Sequence, residues 1–292
     1  MAILVTGATG TIGRQLLPLL ANQGVEVRAL TRTPEDASFP AGITPVAGDL
    51  LDVAAMRSAL DGVRTLFLLA AVTPQELTQS MLTLSLAHEA GIQRVVYLSV
   101  FHGEHFADVP HFASKYTVER MLAQLGIPAT ILRPNYFMQN DAAFMKQPLL
   151  SYGVYPMPIG AVGVSMVDTR DIAAVAAQAL LQRERASAPL PAEVVNVVGP
   201  EALTGADVAA IWSTVLERPI PYTGGDTRAF EQQLAHHGPG WMAMDMRLML
   251  DRFQRDGMCG TADDVAEMTR RLGRPPRSYA AFAQETLAQW QG

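Results

Sequence analysis

The sequence predicts an α/β protein with a doubly wound parallel sheet and a smaller, mainly helical C-terminal lobe. Three observations predict this fold. A glycine-rich turn follows the first apolar segment, short apolar segments alternate with amphipathic helical segments through the first half of the chain, and helical patterns dominate the last third. The chain has 292 residues, of which 49% are apolar, so a large buried core is possible.

The first strand is predicted at residues 2–6, and a turn with three glycines follows it. The spacing is GxxGxxG, one residue wider than the common GxGxxG pattern of dinucleotide-binding proteins. Such glycines allow a tight turn, close approach of a pyrophosphate and close packing of the next helix, whose N-terminus attracts phosphate. We therefore predict a Rossmann-type dinucleotide site, although a tight turn without a ligand is an alternative. The residues assigned to the cofactor in this turn are Gly7, Thr9, Gly10, Thr11, Ile12 and Gly13.

The remaining elements follow from the alternation of strand and helix patterns. Further strands of the first half are predicted at 25–31, 43–47, 64–70, 94–99 and 129–133, with helices that include 74–90 and 110–125. Later elements are strands at 163–167 and 193–198, a helix at 169–181, a polar loop at 182–191, and helices at 204–216 and over most of 226–290. The predicted domains are a dinucleotide-binding domain, 1–150, completed by 163–200, and a substrate-binding lobe, 151–162 with 201–292.

Composition excludes several classes of function. The net charge is −6 and the basic residues do not cluster, so nucleic acid is not an expected partner. No apolar run is long enough to span a bilayer, and no signal peptide is visible. The single cysteine, Cys259, excludes an internal disulfide and fits a reducing compartment. We therefore expect a cytoplasmic protein without a membrane partner.

The end of the second predicted strand distinguishes between the two nicotinamide dinucleotides. NAD is usually held there by a carboxylate, and NADP by an arginine. Arg32 stands at this position and can form a planar fork of donors toward a phosphate, so we predict NADP(H). The alternative is that Arg32 is a solvated loop arginine without a ligand. The nearby carboxylates of Glu35 and Asp36 leave NAD as a second possible cofactor. Asp49, after the third strand, could accept from the adenine amino group or cap the helix that begins near residue 52.

Several segments together resemble the NmrA-like branch of the atypical short-chain dehydrogenase/reductases. They are residues 6–13, Arg32, 48–50, 94–99, Lys115 with Glu119, and 132–140. Within this family, residues 98–102 and 135–140 most resemble the NADPH-dependent quinone and triphenylmethane-dye reductases. The family also contains redox-sensing proteins that bind the dinucleotide and regulate partners without obvious turnover. The resemblance also implies a homodimer.

The sequence departs from the wider superfamily at the catalytic pair, which is usually a tyrosine four residues before a lysine. His111 stands at the tyrosine position, and Lys115 is retained. By resemblance, Lys115 holds the nicotinamide ribose hydroxyls and keeps the local potential positive. His111 could supply a proton or a hydrogen bond to a developing oxyanion, or it could be a helix-start histidine without a chemical role. The usual serine or threonine is also absent, because Phe101 occupies the position two after Ser99.

Other site residues follow predicted strands, whose carboxyl ends meet at one edge of a parallel sheet. The further residues assigned to the cofactor are Arg32, Asp49, Leu50, Leu69, Ala70, Ser99, Lys115 and Asn135. The residues assigned to the substrate are Phe101, Tyr136, Phe137, Met138 and Tyr155. The loop 102–111 is rich in histidine and acidic residues but lacks a metal-binding spacing, so no metal is predicted.

These observations favour an NADPH-dependent oxidoreductase that transfers hydride to a quinone or another conjugated acceptor. A conjugated acceptor spreads the incoming charge over its own π-system, so it depends less on the missing tyrosine than a simple ketone does. The alternative is an NADP(H)-binding redox sensor without turnover.

Overall fold

The computed structural model describes residues 2–291, so the outermost residues of the two predicted domains lie outside the described range. The strands are β1 (Ala2–Val5), β2 (Glu26–Thr31), β3 (Ile43–Ala47), β4 (Val63–Leu68), β5 (Arg94–Leu98), β6 (Ala129–Pro134) and β7 (Glu193–Val197). The helices that follow strands of the first half are α1 (Thr11–Leu20), α2 (Val53–Leu60), α3 (Glu76–Glu89), α4 (Pro110–Gln124) and α5 (Gln139–Phe144). A π-helical turn (Pro148–Tyr152) precedes α6 (Thr169–Arg185), α7 (Gly205–Val215), α8 (Thr227–Ala235), α9 (Gly240–Asp256), α10 (Ala262–Leu272) and α11 (Tyr279–Gln291).

The seven strands form one sheet in the order β3-β2-β1-β4-β5-β6-β7. The neighbouring strands from β3 to β6 pair in parallel. From β1 the chain adds β2 and β3 toward one edge of the sheet, and then returns to add β4 to β7 toward the other edge. The switch point between β1 and β4 is where open α/β sheets bind ligands. The predicted doubly wound fold is confirmed.

Burial along the strands follows their place in the sheet. Every residue of the central strands β1 and β5 is buried, whereas most residues of the edge strand β3 are not. Pro45 lies in this edge strand, where a residue without an N–H group is tolerated. Leucines of β1 and β4 pack with Met56 of α2 and Leu84 of α3 in an apolar core.

The chain folds into two compact units. The first consists of Met1–Gly103, His111–Arg133 and Ile172–Val195, and the second of Glu104–Pro110, Pro134–Asp171 and Asn196–Gly292. The first unit contains strands β1 to β5, helices α1 to α3, and most of α4, β6 and α6. The second contains the C-terminal helices α7 to α11 together with α5.

The prediction of a strand at 163–167 is wrong. Val164 forms isolated bridges with Leu203 and Met258, and Val167 forms one with Phe137. These partners come from three separate segments, so no continuous ladder forms.

The start of the predicted loop 182–191 is also wrong, because α6 continues to Arg185. Arg183 is buried, and its guanidinium donates to the Thr130 hydroxyl at 2.6 Å and to the carbonyl oxygens of Pro128, Leu190 and Pro191. A charged side chain with this many acceptors stabilises one more helical turn and anchors the loop that follows it.

Candidate functional site

The turn between β1 and α1 accepts only glycine at two of its three glycine positions. Gly7 has a φ of +62°, and a Cβ atom there would lie 2.8 Å from Cγ of Leu69. A Cβ atom on Gly13 would lie 2.3 Å from the carbonyl oxygen of Gly7 and 2.5 Å from that of Ala8. A side chain is therefore excluded at Gly7 by the positive φ and the neighbouring Leu69, and at Gly13 by the backbone of the turn itself.

The N-terminus of α1 has no side-chain cap, as is also the case for α3 and α9. Its N-cap is Gly10, which offers no side chain to the first N–H groups, and Thr9, Gly10 and Thr11 are exposed. In contrast, α2 is capped by the side chain of Asp52, and α10 by that of Thr261. A glycine-lined turn with an uncapped, exposed helix N-terminus fits the pyrophosphate of a dinucleotide.

Thr6 joins the carboxyl ends of β1 and β4 at the switch point. Its hydroxyl donates to the carbonyl oxygens of Phe67 and Leu69 and accepts from the Leu69 N–H at 2.8 Å. The predicted cofactor residues Leu69 and Ala70 are therefore placed beside the glycine turn, with Leu69 directly against Gly7. The side chain of Leu69 packs against Gly7 and so forms part of the glycine turn's surroundings.

The adenine end of the predicted site lies after β2 and β3. Arg32 is exposed, and it makes no hydrogen bond or ion pair with any residue in the described range 2–291. The Asp49 carboxylate accepts from the N–H of Leu51 at 2.9 Å. Leu50, which lies between them in the sequence, is half-buried. The cap of α2 is Asp52 and not Asp49. Arg32 is thus available for an anionic group.

Lys115 and Glu76 form a buried ion pair. Because α3 follows β4 and α4 follows β5, and these strands are neighbours, the start of α3 comes close to the second turn of α4. Nζ of Lys115 lies 2.7 Å from Oε1 of Glu76. Lys115 is 8% exposed and Glu76 is 4% exposed. The lysine predicted to hold the cofactor is therefore held in place by a carboxylate.

A second buried carboxylate, Glu119, lies one turn further along α4. The Ser99 hydroxyl donates to its Oε1 at 2.5 Å, and the guanidinium of Arg133 donates to both carboxylate oxygens, at 3.0 and 2.6 Å. The predicted cofactor residue Ser99 thus has its proton committed to Glu119. Burial, together with the charges of Glu76 and Glu119, raises the pKa of Tyr97 well above its usual value.

The proposed proton donor His111 is half-buried in the first turn of α4. Its ring meets the ring of Phe112 edge to face, with centroids 4.6 Å apart. Phe101 is buried, and its ring lies 3.9 Å from that of His102, which has a φ of +59°. His111 and Lys115 belong to the same unit and are four residues apart on one helix, so they share a helix face.

The other predicted site residues lie in the second unit. The side-chain amide of Asn135 donates to the carbonyl oxygen of Met258 at 2.7 Å and accepts from the N–H of Tyr136 at 2.8 Å. The Tyr136 ring packs edge to face on Phe253, with centroids 5.6 Å apart. Met138 is buried and Phe137 is half-buried. Asn135 therefore anchors the backbone of the segment that carries the three predicted substrate residues.

Tyr155, the last predicted substrate residue, belongs to a buried polar cluster around Asp141. The hydroxyls of Tyr155 and Tyr279 both donate to Oδ2 of Asp141, the former at 2.8 Å. Trp212 donates in turn to the Tyr279 hydroxyl at 3.0 Å. Burial raises the pKa of Asp141 to about 6, and the two tyrosine hydrogen bonds oppose that rise.

The acidic and histidine-rich loop 102–111 is held by an arginine. Arg252 of α9 forms hydrogen bonds with both carboxylate oxygens of Asp108, at 2.7 and 3.0 Å, which lowers the pKa of Asp108.

Over residues 2–291 no group of three histidine, cysteine or acidic side chains has metal-binding geometry. Within that same part of the chain no helix is long and apolar enough to cross a membrane.

Sequence reasoning missed Glu76 as a member of the site. An acidic residue in the first turn of a helix is ordinarily explained by the helix dipole. Nothing in the local sequence indicates that this glutamate is buried against a lysine 39 positions later. Glu119 was part of the family resemblance, but its bonds to Ser99 and Arg133 depend on the packing of α4 on the sheet.

The chain is similar to one family model and to three known proteins. Residues 1–270 match the model of the NmrA-like family. The chain is 32% identical to an NAD(P)H azoreductase of Xenophilus azovorans, over 98% of each chain. It is 33% identical to (4-alkanoyl-5-oxo-2,5-dihydrofuran-3-yl)methyl phosphate reductase of Streptomyces griseus, over 98% of this chain and 99% of that one. An NADPH complex of a quinone oxidoreductase from Escherichia coli has a similar fold, with a TM-score of 0.84 at 24% identity, over 98% of this chain and 99% of that one.

Proposed function

Because this chain belongs to the NmrA-like family, as the resemblance predicted, we propose that it is an NADPH-dependent oxidoreductase that transfers hydride to a quinone or another conjugated small molecule. The observation that carries the proposal is the glycine-lined, uncapped N-terminus of α1. The names of the two relatives, both reductases, support it.

The described residues fit a bound NADP(H). The turn at Gly7 and Gly13 would receive the pyrophosphate, the free guanidinium of Arg32 would bind the ribose 2′-phosphate, and Lys115 would donate to the hydroxyls of the nicotinamide ribose. When bound, the cofactor supplies the hydride. The protein residues bind and orient the cofactor, and buried side chains around Lys115 exclude water.

The proposed acceptor class rests on the chemistry shared by the relatives' named substrates. An azo group and a dihydrofuranone with an alkanoyl substituent both present a double bond in conjugation with unsaturated neighbours. A quinone does the same. Each can accept hydride and distribute the negative charge before a proton arrives, which suits a site that lacks the usual tyrosine.

The test of the proposed function is NADPH oxidation by the purified protein against quinones, azo dyes, unsaturated lactones and simple ketones. We expect turnover of at least one conjugated acceptor and none of the ketones. Tight NADPH binding without turnover across the panel would instead favour the redox-sensor alternative. Failure to bind NADPH at all would refute both.

Arg32→Ala tests the choice of cofactor. Loss of the charge-assisted hydrogen bonds to the 2′-phosphate should reduce the preference for NADPH over NADH by roughly 10- to 100-fold, measured as the ratio of the two dissociation constants. Arg57→Ala is the matched control, since Arg57 is exposed and paired with Glu89 at 2.7 Å. An unchanged preference in the Arg32 variant would exclude the proposed role of this residue.

His111→Ala tests the proton donor. We expect kcat for the best conjugated acceptor to fall by roughly 10- to 100-fold, because a positioned acid contributes about this much or more. The binding of NADPH should be retained. His88→Ala provides a control on an exposed histidine in the last turn of α3. Equal turnover by the His111 variant and the control would leave His111 a structural residue.

A further inference from the structure

We propose that Glu76 positions Lys115 and balances its charge beside the nicotinamide, so that the oxidised form of the cofactor is not repelled. The proposal rests on the proposed function, because that function assigns Lys115 to the nicotinamide ribose. It differs from the expectation drawn from the resemblance, in which Lys115 keeps the local potential positive.

Lys115 and Glu76 are close together and deeply buried. Nζ of Lys115 and Oε1 of Glu76 lie 2.7 Å apart, and both side chains are at least nine-tenths buried. A buried charge without a partner costs several kcal/mol, so the two groups hold each other in one arrangement. Oε1 of Glu76 has no hydrogen-bond partner among the described residues, so its contact with Lys115 is electrostatic and leaves the three N–H donors of the ammonium available. Lys115 can therefore remain paired and still donate to a ribose hydroxyl.

The balance of charge around the pair is the second argument. The neighbouring carboxylate, Glu119, is paired with Arg133 at 2.6 Å, so these two pairs hold two cations and two anions. Tyr97 lies among these groups and donates to the carbonyl oxygen of Lys115 at 3.4 Å. The raised pKa of Tyr97, to which both carboxylates contribute, keeps its hydroxyl neutral. No net positive charge is therefore concentrated in this network.

The chemistry of hydride transfer gives the pair a consequence. The hydride carries two electrons from the dihydronicotinamide ring to the acceptor, which leaves the ring with a positive charge and gives the acceptor a negative charge and then a proton. An unpaired ammonium nearby would oppose the positive ring. A neutral Lys115–Glu76 pair removes most of that repulsion and so favours release of the hydride.

The experiment compares how tightly NADP+ and NADPH bind to the purified protein and to Glu76→Gln, by calorimetric titration. The ratio Kd(NADP+)/Kd(NADPH) should increase about tenfold in Glu76→Gln, which corresponds to about 1.4 kcal/mol, because the unpaired ammonium would repel the positively charged ring. Lys115→Gln should weaken both ligands and shift the ratio in the opposite direction. This second variant also tests the proposal if Glu76→Gln does not fold.

Glu184→Gln is the matched control. Glu184 is also a buried glutamate of the first unit, and it accepts from the Thr65 hydroxyl at 2.6 Å near the start of β4, at the other end of the strand from Leu69. This variant should retain the wild-type ratio. The proposal would be overturned if Kd(NADP+)/Kd(NADPH) were the same in Glu76→Gln as in the control. It would also be overturned if Glu76→Gln and Lys115→Gln changed this ratio in the same direction. A wild-type protein that binds neither nucleotide would refute the proposed function itself.

Discussion

Each unit has a cluster of buried carboxylates that is stabilised in its own way, although the second unit also pairs the buried Asp168 and Asp171 with arginines. In the first, Glu76 and Glu119 each face a cation, Lys115 and Arg133 respectively, at 2.7 and 2.6 Å. In the second, the hydrogen bonds to Asp141 come from the neutral hydroxyls of Tyr155 and Tyr279.

The difference shows what each polar cluster can do. Matched ion pairs keep charges at fixed positions next to a reacting group, whereas hydroxyls stabilise a carboxylate without neutralising it. Burial outweighs the two hydroxyl bonds at Asp141, so its pKa is raised to about 6. The first cluster therefore keeps Lys115 and Arg133 in fixed positions, and the second makes the stability of its unit depend on pH.

The largest effect is expected from breaking the pair in the first unit. Lys115→Met leaves the Glu76 carboxylate buried without its cation and should lower the free energy of unfolding by about 3–5 kcal/mol, measured by urea denaturation. The double variant Lys115→Met/Glu76→Met should recover most of this loss, because it removes both charges. Equal instability of the single and double variants would show that packing, rather than charge, explains the loss.

The second unit should show a smaller effect that depends on pH. Because the pKa of Asp141 in the folded protein, about 6, lies above the ordinary 3.8, the folded state holds the proton more tightly than the unfolded state does. This contribution to stability is complete below about pH 4 and is lost as the pH rises through 6.

Asp141→Asn removes that dependence. The free energy of unfolding of the wild type minus that of the variant should decrease by about 2 kcal/mol between pH 4 and pH 7, measured by urea denaturation at each pH. Taking the difference between the two proteins cancels other titrating groups. A difference independent of pH would contradict the raised pKa.

The smallest effect is expected from Ser99→Ala. This change removes the 2.5 Å hydrogen bond to Glu119, but the carboxylate keeps both bonds from Arg133. We expect the free energy of unfolding to fall by about 1.5 kcal/mol, as for a hydrogen bond to a charged group. Thr117→Ala, which removes an exposed hydroxyl bond within α4, is a suitable control and should change stability by less. A loss as large as that of Lys115→Met would show that Ser99 also holds the ion pairs in place.

Much of the fold could be predicted because it depends on local patterns. Apolar segments of five to seven residues between turn residues predicted β2, β3 and β5 to within a residue, and the glycine spacing predicted the β1–α1 turn. The failures at 163–167 and 182–185 have a different origin. The bridge partners of Val164 and two of the four acceptors around Arg183, Thr130 and Pro128, are distant in the sequence, so no local pattern indicates them.

Residue types at short, fixed spacings were enough to predict the glycine turn, the cofactor class indicated by Arg32, the family, and the retained lysine with a histidine in place of the tyrosine. Folding was needed to pair Lys115 with Glu76, to direct Ser99 to Glu119, and to place Tyr155 in the Asp141 cluster. These contacts form when neighbouring strands bring helices from distant parts of the chain together. Their strength comes from burial, which no single segment possesses before the chain folds.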